Sequence, residues 1–344
     1  MTGTAPITDP ADAGPLPAPV TPARRAGVLA QLVRSDLLGV LVPLIVVAVA
    51  MTAVFPGFAS PFNLNALLAT IAVTSLVGLA QVCVLAIGQF NLALPAIGAF
   101  TGMILGWLLQ VAGTPLPVAV VLAFALSALL GLLQGLFIVA LRLNAFIVTL
   151  GLASGYYGLM YVLLGNERFQ KIGEALPLLG RGAIGPVPNI FIIAVAGFVL
   201  MWTVVSLTVA GRMLLAVGAN PVAARFSALP VNRIVLGAHT ASGALAGFAA
   251  ILLVSRLAVG SPAIGQDWLL ASFAAPVLGG TLLSGGKVSV LGTVLGAALL
   301  AMIANALVIV GVSQYWYQAG LGLIILGAVA FDRARLKLIT QGGR

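Results

Sequence analysis

Long apolar runs, broken by Pro, Gly and isolated charges, dominate this chain. Between Asp36 and Arg142, 105 consecutive residues contain no Asp, Glu, Lys or Arg. A helix crossing the hydrocarbon core takes about 20 apolar residues, so this stretch alone has room for four crossings. Backbone groups in lipid must be bonded within their own segment or within a closed barrel. Barrel strands would show short segments of alternating polarity, and these runs do not alternate. The pattern predicts an all-α polytopic membrane protein with ten spans. They lie near 37–55, 66–88, 92–111, 117–141, 144–164, 188–209, 234–257, 268–284, 288–311 and 315–331, with ends placed to within several residues. The eighth is short and Gly-rich, and reads either as a full span or as a re-entrant or broken one.

Composition sharpens this picture. Apolar residues make up 61% of the 344 residues and charged residues 7%, where a soluble domain carries roughly 25% charge. With both termini inside, the inner side holds twelve Lys and Arg: Arg24, Arg25, Arg34, Arg142, Arg212, Arg225, Arg233, Lys287, Arg333, Arg335, Lys337 and Arg344. The outer side holds four: Arg168, Lys171, Arg181 and Arg256. This imbalance follows the positive-inside rule and favours ten spans over nine or eleven. The net charge of +9 therefore marks cytoplasmic loops, and nucleic acid is not expected as a partner. Residues 1–34 read as a disordered cytoplasmic tail, 35–335 as the transmembrane domain and 336–344 as a second cytoplasmic tail. The first apolar run is long enough to span, and no small-residue cleavage site follows it, so it reads as an uncleaved span.

The usual parts of catalysis are missing. Cys83 is the only cysteine and His239 the only histidine, which leaves no disulfide framework and no metal cluster built on either residue. No predicted span interior holds a carboxylate pair, because Asp36, Asp267 and Asp332 fall at span ends. A phosphate-binding loop of the Gly-x4-Gly-Lys type is also missing: Gly286 and Lys287 are preceded by Thr281 and followed by Val288. Intramembrane carboxylates or histidines normally serve ion-coupled transport, and only His239 qualifies. It is read either as a titrating group or as a neutral ring satisfied by a carbonyl or water. Uphill movement of a solute by this chain would draw its energy from a partner. Small-xxx-small spacings (Gly98, Gly102 and Gly106; Gly131 and Gly135; Gly151 and Gly155; Gly243 and Gly247; Gly292 and Gly296) predict close helix packing. A faint repeat links GQFNLALP from Gly88 with GGTLLSGG from Gly279.

One inner connection, 210–233, carries a local signal. Asn220 followed by Pro221 is a strong helix start, and Pro230 marks the expected end of a helix of about nine residues. Ala223 and Ala224 would keep one side flat for docking, with Arg225 offering charge. The whole stretch, GRMLLAVGANPVAARFSALPVNR from Gly211, resembles the cytoplasmic loop of ABC-transporter permeases of the ribose type. Further stretches resemble the same family: GQFNLALPAIGAFTGM from Gly88, LNAFIVTLGLASGYYGLMYVLLG from Leu143, APVLGGTLLSGGKVSVLGTVLGA from Ala275, and the last spans. The likeness runs from about residue 35 to 335. Where the family has Asp before Leu-Ser, this chain has Asn91, which removes a charge and keeps hydrogen-bonding capacity. Gln89 and Ala228 stand at two positions where the family has Gly.

The resemblance implies a permease of the bacterial cytoplasmic membrane that pairs with a second permease copy, identical or related, in an ABC importer. It also implies two cytoplasmic ATPase subunits that use ATP and Mg, and an extracytoplasmic solute-binding protein. The permease itself would hold no cofactor and perform no catalysis. Gly218, Asn220, Pro221, Ala223, Ala224 and Arg225 would form the element seated on the ATPase. A neutral sugar needs hydrogen-bonding groups and ring faces along its path. Candidates are Gln81, Gln89, Asn91, Gln134, Asn144, Ser154, Tyr156, Tyr157 and Asn305, with Phe146 as a gate. Each could instead bond one helix to another. A passive facilitator and an importer for nucleosides or branched-chain amino acids remain as alternatives.

Overall fold

The computed structural model describes residues 38–313, 316–323 and 326. The expected tails 1–34 and 336–344, and part of the predicted span 315–331, lie outside the described residues. The chain order is α1 (Leu38–Val54), a 3-10 turn (Pro56–Ala59), α2 (Pro61–Leu85), α3 (Leu94–Gln110), α4 (Leu116–Leu141), α5 (Ala145–Leu164) and α6 (Ala175–Arg181). A two-stranded hairpin follows, β1 (Ala183–Ile184) antiparallel to β2 (Val187–Pro188). Then come α7 (Asn189–Leu207), α8 (Val209–Ala219), α9 (Pro221–Phe226), α10 (Val231–Leu257), α11 (Trp268–Leu278) and α12 (Val290–Val310), with residues 316–323 again helical. Among the described residues, six helices are long and apolar enough to cross a membrane: α2, α4, α5, α7, α10 and α12.

Helix α2 occupies the centre. Every residue from Ser75 to Ile87 is buried, and α10, α12, α11 and α7 pack around it. The peripheral helices α4, α5 and α7 keep apolar side chains such as Val121, Ile147 and Leu200 exposed, as expected where the surroundings are lipid. The small-residue spacings mostly account for the tight core. Gly131 of α4 lies against Gly243 of α10, Gly247 against Ser127, and Gly292 of α12 against Gly279. Gly151 and Gly155 of α5 differ, since a Cβ at either would meet nothing within 4 Å.

One open expectation is narrowed and two need correction. The stretch 268–284, read either as a full span or as a re-entrant or broken one, holds only a short helix: α11 has 11 residues with Pro276 inside its last turn. The chain then leaves the helix through Gly279 and Gly280, where φ reaches +83° at Gly280. The connection 210–233 is largely helical, because the Thr208 side chain accepts from Gly211 N and starts α8. The short helix beginning at Asn220–Pro221 runs six residues rather than about nine. It stops before Pro230 because Ala228 takes the left-handed conformation (φ +57°), and Leu229 N turns back to Ala224 O at 3.0 Å.

Candidate functional site: a loop junction beside a polar core

Two interruptions in the bundle meet. After α2 the chain unwinds over 86–93, and after α11 it unwinds over 279–289. These are the segments with the faint repeat, and Gly286 N donates to Ala86 O at 3.1 Å between them. Gly286 has φ +77°, and a Cβ there would stand 2.7 Å from Ala219 Cα. Gly218, in the last turn of α8, is equally confined: its Cβ would strike the Ala86 carbonyl oxygen and lie 2.6 Å from Gly286 N. Glycine at 218 is thus required by contact with two other backbones.

The short helix α9 leaves directly from this junction. Asn220 Oδ1 accepts from Val222 N (3.1 Å) and Ala223 N (2.9 Å), and Pro221 supplies the first helical position. The two alanines separate. Ala224 is 4% exposed and sits in an apolar cluster with Ile87, Ile138, Val217, Val231 and Val235, whereas Ala223 faces outward. The outward surface is more apolar than the alanines suggest, since Val222 is 61% and Phe226 88% exposed. Arg225 is also exposed. A cavity of ≈980 Å³ opens beside α9, and Gln89, Arg142, Arg225, Asn232 and Arg233 supply its polar side chains.

Above the cavity lies a neutral polar core. Asn91 is wholly buried: its Nδ2 donates to Ser242 Oγ (3.0 Å) and its Oδ1 accepts from Ala93 N (3.0 Å). The Gln81 carboxamide, oriented to satisfy both ends, donates to Asn91 O (3.1 Å) and accepts from Asn91 N (3.3 Å). Leu92 N donates to Thr149 Oγ1 of α5 (3.2 Å). His239, also wholly buried, has Nε2 2.9 Å from Gln89 Oε1 and Nδ1 3.5 Å from Gln134 Oε1. Gln81, Gln89, Asn91 and Gln134 are therefore drawn together around the first interruption.

The remaining candidates are elsewhere. Asn305 exchanges two hydrogen bonds with Asn63 (2.8 and 3.1 Å), eighteen positions before Gln81 on α2, or about 27 Å along the helix axis. Tyr156 donates its hydroxyl to Leu130 O (2.7 Å), and Tyr157 is half-buried beside the cluster around Ile97 and Leu130. Ser154 is exposed on α5, near the open Gly151–Gly155 face. Asn144 caps α5 by accepting from Phe146 N (2.8 Å), and the Phe146 ring is exposed. Sequence reasoning missed Ser242 and Thr149, because hydroxyls within apolar helices are too common to stand out. It also missed the outward Val222 and Phe226, whose placement depends on where α9 ends.

Residues 63–329 match the family described as branched-chain amino acid transport system / permease component. The ribose import permease protein RbsC of Bacillus subtilis (strain 168) is 30% identical over 300 residues, covering 87% of this chain and 93% of the relative. The L-arabinose ABC transporter permease protein AraH of Azospirillum brasilense is 29% identical, covering 92% and 93%. The fructose import permease protein FrcC of Rhizobium meliloti is 30% identical, covering 85% and 84%. No solved structure matches the chain.

Proposed function

Starting from a chain that belongs to the branched-chain amino acid transport system / permease component family, we propose that it is the membrane subunit of an ABC importer for a monosaccharide or similarly polar solute. In this reading ten spans place both termini in the cytoplasm of a bacterial inner membrane. ATP hydrolysis on a partner ATPase, with Mg, drives alternating access, and a solute-binding protein delivers cargo from outside. The observation that carries the proposal is the junction of Gly218, Ala86 and Gly286. It joins the outward-facing helix α9 to both interruptions of the bundle, so force applied at Val222 and Phe226 has a short, backbone-packed route to Gln89 and Asn91.

The names of the relatives, which concern ribose, L-arabinose and fructose, support a sugar over the amino acids of the family description. The polar core supports it too: Gln81, Asn91, Gln134 and Ser242 are neutral, and a zwitterion would require charged partners to leave water. A second permease copy has a place to pack on α5, where Gly151, Gly155 and Gly158 form an open, small-residue strip. Cys83 is buried, so Phe226→Cys gives the chain a single accessible thiol. Co-expressed with its ATPase, this variant should cross-link to the ATPase. Equal cross-linking from a cysteine placed on the opposite face of the bundle, or none from position 226, would overturn the seating of α9.

A further inference from the structure

Gln134 on α4, His239 on α10 and Gln89 in the first interruption form a line from the buried core to the cavity. The ring stands between two carboxamide oxygens, and that arrangement cannot hold for a neutral imidazole, which has one donor and one acceptor. An imidazolium would satisfy both oxygens. However, His239 is wholly buried, no carboxylate lies within its hydrogen-bonding contacts, and Arg142 and Arg233 line the cavity that Gln89 enters. A buried, unpaired positive charge is too costly, so the ring is neutral.

The two distances then decide its direction. Nε2 to Gln89 Oε1 at 2.9 Å is a full hydrogen bond, whereas Nδ1 to Gln134 Oε1 at 3.5 Å is at the outer limit. Gln134 Nε2 is buried with no partner. Turning that one amide over points its NH2 at Nδ1 and leaves an oxygen orphaned in place of a donor, the less costly exception. The order becomes Gln134 to His239 to Gln89, each donating to the next. Gln89 Oε1 is then occupied, and its own NH2 group has no partner among the described residues.

We propose that His239 is a positioning residue: as the neutral Nε2–H tautomer it grips Gln89 by its oxygen and turns the Gln89 NH2 into the cavity as a donor for a hydroxyl or carbonyl oxygen of the solute. With Arg142, Arg225 and Arg233 also purely donors, the cavity takes oxygen-rich neutral or anionic groups and rejects ammonium groups. The solute part rests on the transport reading above, and the tautomer does not.

His239 is the sole histidine, so full-length protein labelled with 15N-imidazole histidine, and purified without a His tag, reports one ring. The expected spectrum at pH 7 shows Nε2 protonated and Nδ1 bare, with the Nε2–H signal displaced in Gln89→Leu and the Nδ1 signal in Gln134→Leu. In proteoliposomes with the ATPase and binding protein, His239→Gln, which can still donate at the ε position, should retain ribose, arabinose or fructose uptake. His239→Leu and His239→Asn should lose about tenfold, the loss expected for one buried hydrogen bond, while His239→Asn unfolds thermally no more easily than the transport-competent His239→Gln. An Nδ1–H tautomer, an imidazolium, or full uptake by His239→Leu would overturn the proposal. Failure of the wild-type complex to transport any of the three sugars would count against the transport reading, and the spectrum alone would then decide the tautomer.

Discussion

Phe226→Ala separates docking from folding. The ring is 88% exposed in the isolated chain, so its removal should leave the subunit's own stability within about 0.5 kcal/mol. If α9 inserts into an ATPase cleft, the same ring becomes buried. A phenylalanine buries on the order of 200 Å², and alanine retains roughly 45% of that, so the variant forgoes about 110 Å² of apolar burial. At about 25 cal/mol per Å² this is about 2.8 kcal/mol, or about a hundredfold in dissociation constant. The assay is titration of the purified ATPase against detergent-solubilised permease, with thermal unfolding of the permease measured in parallel. An unchanged affinity would refute the reasoning, and so would a loss of affinity matched by an equal loss of permease stability.

The junction gives a second test: Gly218→Ala places a Cβ against the Ala86 carbonyl and Gly286 N. It should destabilise by about 1–3 kcal/mol and slow uptake, measured by thermal unfolding and vesicle transport. Asn91→Leu strands the Ser242 hydroxyl and Ala93 N, so unfolding should become easier by roughly 3 kcal/mol, with uptake lost. Asn305→Ala breaks only the pair with Asn63. It should cost about 1 kcal/mol and leave uptake intact in the same assay.

The helical runs were legible because lipid tolerates no unpaired backbone, which makes uninterrupted apolar length a direct signal. Helices therefore lie at the expected spans between residues 37 and 311, most with ends within a few residues of those predicted, and six of them are long and apolar enough to cross a membrane. The short helix was legible at its start, where Asn220 and Pro221 state a cap chemically, and not at its end. Pro230 offered an obvious stop, yet the chain turns at Ala228, a residue with no intrinsic preference for φ +57°. At 268–284 the hydropathy continued past the true helix end, since Gly279 and Gly280 are apolar enough to pass for span. Gln81, Gln89 and Asn91 were named as polar positions in apolar runs. Their partners Ser242 and His239, and the Thr149 hydroxyl that accepts from neighbouring Leu92 N, could not be assigned without the crossings that bring α5 and α10 against the first interruption. The family resemblance pointed to α9, whereas the bracing of α9 by Gly218 against Ala86 and Gly286 is a property of three distant segments and is visible only once they are folded together.

The most direct measurement is solute accumulation in sealed proteoliposomes that contain this chain alone or with its ATPase and binding protein. Accumulation above the bath concentration should occur only in the complete system and only with ATP and Mg present. Accumulation by the chain alone, or rapid equilibration without any ATPase, would contradict a subunit driven through α9.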